Sequence, residues 1–256
     1  APTAGSILLA GLLLKTGAYG LIRFTVPLFP DAAATFAPWA MALAAFGILY
    51  GAKLAFAQTD VKRLVAYTSV SHMGFVLLGV FAWTSLSIQG AVLQMICHAL
   101  STGAMFAMAG MLMHRLHTRD LGAMGGFWAQ APRMGAMGLV FTMASLGLPG
   151  LGNFVAEFLI LFGSFDAAPV MTILATVGVV LATVYSLRWF QRTFHGPVPE
   201  GVRVRDLGAR ELGVLLALAA VLVWLGLYPR PVLETSQPVV DGALATRSEP
   251  IRLAAS

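Results

Sequence analysis

The sequence predicts an all-α fold: a polytopic transmembrane helix bundle with about seven spans, one of them a broken helix. Composition is the first reason, because 58% of the residues are hydrophobic and 11% are charged, whereas an average soluble domain carries roughly 25% charge. Length is the second, because several windows approach or exceed the roughly 18 apolar residues that a membrane-spanning helix needs. The third is one apolar segment that proline and glycine interrupt at its centre.

Apolar stretches follow one another along the chain with short polar connections between them. The predicted spans are residues 5–24, 35–57, 64–83, 88–113, the broken segment 134–165, 170–190 and 211–228. From Pro229 onward the chain becomes polar, which predicts a tail at the surface or partly without order.

Basic residues alternate between the connections and predict the orientation of the bundle. The connections after the second, fourth and sixth spans hold Lys62, Arg63, Arg115, Arg119, Arg133, Arg192, Arg203, Arg205 and Arg210. The connections after the third and fifth spans hold no lysine or arginine. The positive-inside rule therefore places the arginine-rich connections in the cytoplasm and the C-terminus outside.

The broken segment is the most informative stretch of the chain. Its interruption contains Pro149, Gly150, Gly152 and Asn153. These residues predict a break in the helix, because proline removes a backbone donor and glycine weakens a helix. We expect Asn153 to cap the second half-helix. In lipid, such a break is tolerated only where protein or water satisfies the freed backbone groups. Glu157 follows directly as the only acid well inside an apolar segment, and this pattern indicates an ion path.

Three further titratable residues lie inside predicted spans: Lys15, His72 and His98. Ionisable groups within the membrane usually face the bundle interior and mark ion or proton pathways. Each also has a structural interpretation: Lys15 could bind unwound backbone, Glu157 could link helices, and either histidine could be a satisfied core residue. Together the four groups, on four segments, predict a proton relay.

Other functional classes find little support in the sequence. Cys97 is the only cysteine, which excludes a disulfide framework, a cysteine zinc site and a protein-bound iron–sulfur cluster. The net charge of +5 comes from arginines between apolar segments and does not indicate nucleic-acid binding. We find no cofactor-binding motif and no metal-ligand pattern. Any part in catalysis would therefore consist of moving an ion.

Four motifs resemble the antiporter-like membrane subunits of respiratory complex I, the NADH–quinone oxidoreductase. They are GLLLKTGAYG at 11–20, QTDVKRLVAYTSVSHMGF at 58–75, HTRD at 117–120 and LGLPGLGNFVAEF at 146–158. These subunits contain two inverted five-helix repeats, and this chain resembles only the second half. Among them, Glu157 is typical of one subunit type, because sister subunits and antiporter relatives generally carry lysine there.

The resemblance implies a division of the chain. Residues 1–24 would be a linking helix, and 35–194 the antiporter-like repeat with its broken helix at 134–165. Residues 195–210 would be a cytoplasmic connection, 211–229 the final span and 230–256 a polar external tail. The first repeat is expected from the remainder of a longer chain. Lys15 would link the two half-channels, His72 and His98 would form the central relay, and Glu157 would be its terminal group.

The resemblance also implies a function as a proton-translocating membrane subunit of an enzyme whose redox centres lie elsewhere. NADH, FMN, iron–sulfur clusters and quinone would be bound by partner subunits, and no cofactor or metal by this chain. Neighbouring antiporter-like subunits and membrane lipid would surround it, in a bacterial plasma membrane rather than a mitochondrial inner membrane. Two alternatives stay open: a subunit of a multisubunit Na+/H+ antiporter, and a membrane scaffold that transports nothing.

Overall fold

The computed structural model describes residues 2–248, and within them the backbone folds into helices joined by short connections. The helices are α1 Thr3–Leu28, α2 Pro30–Ala57, α3 Val61–Phe81, α4 Ser85–Leu116, α5 Phe127–Gln130, α6 Pro132–Ser145, α7 Gly152–Ser164, α8 Pro169–Phe194, α9 Ala209–Leu227 and α10 Arg230–Ser248.

Six of the described helices, α1 to α4, α8 and α9, are long and apolar enough to cross a membrane. Helix α7 is shorter but also apolar, and with α6 it forms the interrupted segment. The prediction of an all-α polytopic bundle with one broken helix is therefore confirmed for the described residues. Each of the six long helices begins one to five residues before its predicted span, whereas Val61–Phe81 and Ala209–Leu227 end one or two residues before theirs.

Helices α3 and α4 are the most buried spans, whereas α1 and α9 lie at the edge of the bundle. Glycines allow the central helices to approach at backbone distance. A Cβ atom on Gly74 of α3 would lie 2.9 Å from the Ala44 carbonyl oxygen of α2, and one on Gly90 of α4 would lie 2.9 Å from the Ala156 carbonyl oxygen of α7. Small residues of this kind bring helices together in membranes, where packing replaces hydrophobic burial as the driving force.

Helix α1 differs from the other spans in its backbone. Two segments, Leu9–Leu13 and Leu21–Thr25, are wound as π-helix. They lie on either side of Lys15, and such wide turns are rare and often occur at functional sites. The leucines of α1 at 9, 12 and 13 are more than half exposed, so much of its surface has no partner within the described residues.

The arginine-rich connections meet at one end of the bundle, where hydrogen bonds and an ion pair join its helices. Arg115 at the end of α4 donates to both carboxylate oxygens of Glu211 in α9, at 3.1 and 2.6 Å. Asp206 reaches across from the connection before α9 to the start of α6. Its carboxylate accepts from the backbone N–H groups of Arg133 and Met134, at 3.1 and 3.0 Å.

We expect Asp206→Ala to lower stability, because it leaves two backbone N–H groups at the start of α6 without their acceptor. Loss of an N-terminal cap typically costs about 1 kcal/mol. Thermal melting of the full-length subunit in mild detergent would measure the change. Asp166→Ala is the control, since Asp166 is exposed in the turn after α7. Equal melting temperatures for the two variants would contradict the capping role.

The polar C-terminal segment is helical as far as Ser248, which its composition did not predict. Helix α10 packs against α4, where Gln237 hydrogen-bonds to Gln89 and lies 3.4 Å from the Ser85 hydroxyl. The external location of the tail stays a prediction, and residues 249–256 of it lie outside the described residues.

Candidate functional site

The interruption between α6 and α7 is shaped by glycines in conformations that other residues avoid. Gly147 has a φ of +77° and Gly150 a φ of +96°, both in the left-handed region. Helix α9 covers this bend at very close range, because a Cβ atom on Gly226 would lie 2.3 Å from the Gly150 carbonyl oxygen. The break is therefore packed against protein at α9, as a non-helical segment within a membrane requires.

Asn153 does not cap α7, and that expectation was wrong. Helix α7 begins at Gly152, so Asn153 already lies within its first turn. The fully buried Asn153 side chain instead donates from Nδ2 to the Ser101 hydroxyl of α4, at 3.2 Å. The amide thus fixes the start of α7 against the central helix, one turn before Glu157.

Glu157 projects from α7 into the bundle, and only 4% of its surface is exposed. Its Oε1 atom accepts from Gln94 Nε2 at 2.9 Å and lies 3.0 Å from His72 Nδ1. Its Oε2 atom faces the break, where a Cβ atom on Gly147 would lie 3.1 Å away. The carboxylate therefore joins α3, α4 and the interruption at one point.

His72 is the branch point of the site, because both of its ring nitrogens face polar groups. Nδ1 contacts Glu157, and Nε2 lies 3.4 Å from the hydroxyl of the fully buried Tyr185 on α8. A neutral imidazole donates from one nitrogen and accepts at the other, so the two contacts suit a group that takes a proton on one side and releases one on the other.

Lys15 and His98 form the other half of the site. The Lys15 ammonium lies 2.7 Å from His98 Nδ1 and also donates to the Ala10 carbonyl in the first wide turn of α1. His98 is completely buried, and its Nε2 atom has no hydrogen-bond partner among the described residues. The His98 and His72 rings lie 5.4 Å apart between centroids, tilted by 58°. This gap is the only step in the series that no direct hydrogen bond closes within residues 2–248.

The structure brings together all four titratable residues that the sequence singled out. Pro149 and the glycines form the bend, and Asn153 anchors α7 beside it. Whether these groups carry protons stays a prediction. Within residues 2–248 no cluster of three or more His, Cys, Asp or Glu side chains is arranged to hold a metal ion.

Sequence reasoning missed Gln94 and Tyr185. Gln94 gave a usable signal, because it is a polar side chain one turn before His98 in an apolar helix and so shares its face. Tyr185 gave none, because a tyrosine in an apolar helix is as common at lipid or packing positions as at a site.

Comparison with known proteins assigns the chain to a family. Residues 1–183 match the transmembrane family described as NADH:quinone oxidoreductase/Mrp antiporter. NADH-quinone oxidoreductase subunit M of Pseudomonas aeruginosa is 56% identical over 242 residues, which are 94% of this chain and 48% of that protein. Subunit M of Escherichia coli is 53% identical over 243 residues, with the same coverage of 94% and 48%.

A solved structure shows the same fold. One chain of respiratory complex I from Thermus thermophilus, determined with bound NADH, superposes with a TM-score of 0.88 at 34% identity, over 92% of this chain and 50% of that chain. The chain thus spans about half the length of the relatives that it matches. The resemblance carried by the sequence motifs is confirmed, and the chain belongs to the NADH:quinone oxidoreductase/Mrp antiporter membrane family.

Proposed function

We propose that this chain forms half of a proton-translocating membrane subunit of an NADH–quinone oxidoreductase, in a bacterial plasma membrane. One observation carries the proposal: a series of titratable side chains runs from the half-buried Lys15 through the buried His98 and His72 to Glu157 at the helix break. Four ionisable groups in an apolar bundle are expensive to bury, and such groups usually line proton or ion paths. The relatives named subunit M support the type of complex.

The first transfer would run from Lys15 to His98. Protonated Lys15 donates to His98 Nδ1, which is within direct hydrogen-bonding distance at 2.7 Å. With Nδ1 as the acceptor, the neutral His98 ring carries its proton on Nε2, the nitrogen without a partner in the described residues. Accepting a proton at one nitrogen and releasing one from the other moves charge across the ring without moving the helix.

The second transfer would cross from His98 to His72, and the third would reach Glu157. Since 5.4 Å separates the ring centroids, the second step needs a bridging water or a turn of one ring. His72 can then pass its Nδ1 proton to Glu157 Oε1, 3.0 Å away. Gln94 donates to the same oxygen, so it holds the carboxylate in position throughout.

The proposed relay moves protons only and includes no electron transfer. The proposal assigns electron transfer, with NADH, FMN, iron–sulfur clusters and quinone, to partner subunits of the complex. Those reactions would change the charge on groups beside the membrane subunit, and the relay would respond by moving a proton. Other antiporter-like membrane subunits would be its direct neighbours.

We expect Lys15→Ala to stop the relay at its first step, because no other cation contacts His98 Nδ1 among the described residues. The test uses the full-length subunit in the assembled complex, in sealed membrane vesicles, with protons moved per electron pair as the readout. Removing one positioned proton donor should slow the transfer that it serves by about 10²-fold or more. Lys53→Ala is the matched control, since Lys53 is exposed on α2.

The outcome distinguishes the proposed proton relay from the two alternative functions, a scaffold and an antiporter. Unchanged proton stoichiometry and turnover in Lys15→Ala would contradict the relay. Reduced assembly with normal pumping per assembled complex would favour a scaffold. Sodium-dependent transport that needs no electron transfer, with no redox subunit found by mass spectrometry of the purified complex, would favour an antiporter.

A further inference from the structure

We propose that the seam between α6 and α8 holds water and forms a second proton path, which reaches His72 through Tyr185 from the arginine-rich end of the bundle. This inference rests on the proposed function and adds an entry route to it. The seam is defined by Thr142 and Ser145 of α6 and by Tyr185, Ser186 and Trp189 of α8.

Buried polar side chains follow one another along the seam at intervals of one helical turn. Ser145 and Ser186 face each other with their hydroxyl oxygens 3.4 Å apart. The helices run in opposite directions, so one turn toward the arginine-rich end from each serine lie Thr142 and Trp189. Both are completely buried, and neither Thr142 Oγ1 nor Trp189 Nε1 has a hydrogen-bond partner among residues 2–248.

Two polar atoms without a hydrogen-bond partner, one on each helix at the same level of the seam, point to a bound water. Leaving a buried donor or acceptor unsatisfied costs about 1–3 kcal/mol, and buried waters typically satisfy such groups with two to four hydrogen bonds each. The two groups have complementary hydrogen-bonding capacities toward such a water. The indole N–H of Trp189 can only donate, while the Thr142 hydroxyl can both donate and accept. A water between them would accept from the indole and exchange a hydrogen bond with the hydroxyl.

Tyr185 connects this level to the relay. It precedes Ser186 in the chain, is completely buried, and places its hydroxyl 3.4 Å from His72 Nε2. The Tyr185 hydroxyl can donate its proton to His72 Nε2, and Tyr185 lies one helical turn before Trp189, on the same face of α8.

The transfer balances without ionising the phenol. As His72 gives its Nδ1 proton to Glu157, Nε2 takes the proton of the Tyr185 hydroxyl. The Tyr185 oxygen takes a replacement proton from the water in the seam. The phenol is neutral before and after, the seam water regains a proton from the arginine-rich end, and the net change is one proton moved from that end to Glu157.

The arginine-rich end of the seam lies near the surface of the bundle. A cavity of about 520 Å³ lies there, lined by Trp128, Phe190, Phe194 and His195 among others. The Phe194 ring packs on Gly138 of α6, where a Cβ atom would lie 2.5 Å from Cε2. Gly138 is one turn before Thr142, so this aromatic ring separates the cavity from the water level that we propose. By the positive-inside rule this end faces the cytoplasm, the side from which a respiratory pump takes up protons.

The experiment measures proton pumping and turnover per assembled complex, in sealed vesicles, with the full-length subunit. We expect Tyr185→Phe and Thr142→Val to slow pumping at least about tenfold, because each removes a hydroxyl that a proton must pass while keeping the side-chain shape. Thr142→Ser should restore pumping, since it returns the hydroxyl. Tyr50→Phe and Thr176→Val are matched controls at exposed positions of α2 and α8.

The variants also separate this inference from the proposed function. Wild-type pumping in Tyr185→Phe and Thr142→Val, together with loss of pumping in Lys15→Ala, would overturn the seam and leave the relay intact. Wild-type pumping in all three would overturn both. If Thr142→Ser is impaired as much as Thr142→Val, the position serves packing, and the seam is overturned as a proton path.

Discussion

Glu157→Gln is expected to abolish proton transfer at the helix break while leaving the surrounding packing in place. Glutamine has nearly the same shape as glutamate, and its amide oxygen can still accept from Gln94 Nε2, now 2.9 Å from the carboxylate. An amide cannot take up and release a proton, so in the proposed relay a proton that reaches His72 would have no destination. We expect protons moved per electron pair to fall, or turnover to slow by about 10²-fold or more.

Glu200→Gln is the control for this substitution, because it makes the same chemical change at an exposed position in the connection after α8. Both variants should assemble to the level of the unmodified protein. If Glu157→Gln keeps normal proton stoichiometry and turnover, the Glu157 carboxylate takes no part in the relay. A loss of assembled complex with normal pumping in what remains would indicate that Glu157 only holds helices together.

Gly226→Ala is expected to have the largest effect on stability. The added methyl group would lie 2.3 Å from the Gly150 carbonyl oxygen and 2.6 Å from the Leu151 carbonyl carbon, and both of these are backbone atoms. Overpacking a well-packed interior typically costs about 1–3 kcal/mol, occasionally more, when side chains can adjust. Here the obstacle is the main chain of the break, so α9 must shift away from α7.

The measurement is the thermal stability and yield of the full-length subunit in mild detergent. Gly213→Ala is the control on the same helix, since a Cβ atom there meets nothing within 4 Å. In a helix interior alanine is favoured over glycine by roughly 1 kcal/mol, so this variant should be as stable as the unmodified protein or more so. If both substitutions behave alike, α9 does not depend on the close contact at Gly226.

Much of the fold could be predicted because the membrane simplifies the physics. Apolar length alone locates a span, and Pro149 with its neighbouring glycines marks a break, since few other residues interrupt a helix so strongly. The site residues were visible for the same reason: Lys15, His72 and Glu157 stand out in an apolar sequence because burying them carries an energetic penalty.

The pairing of these residues could not be predicted. Hydropathy does not report how each helix is rotated, so the contact of His72 with Glu157, and that of Lys15 with His98, follow only from packing. Tyr185 was hidden because its hydroxyl is a minor part of an apolar side chain. The helical α10 was hidden because its polar composition resembles a surface loop as much as a helix.

The wide turn at Leu9–Leu13 has a mechanical consequence for Lys15. A π turn holds one residue more than an α-helical turn, and each residue of an α-helix rotates the chain by about 100°. If that turn tightened to α-helix, the segment after it would rotate by this amount, and the ammonium would swing away from His98. Few described residues cover the leucines around it, so little stands in the way. In the proposed relay, the winding of this one turn would therefore determine whether Lys15 can reach His98.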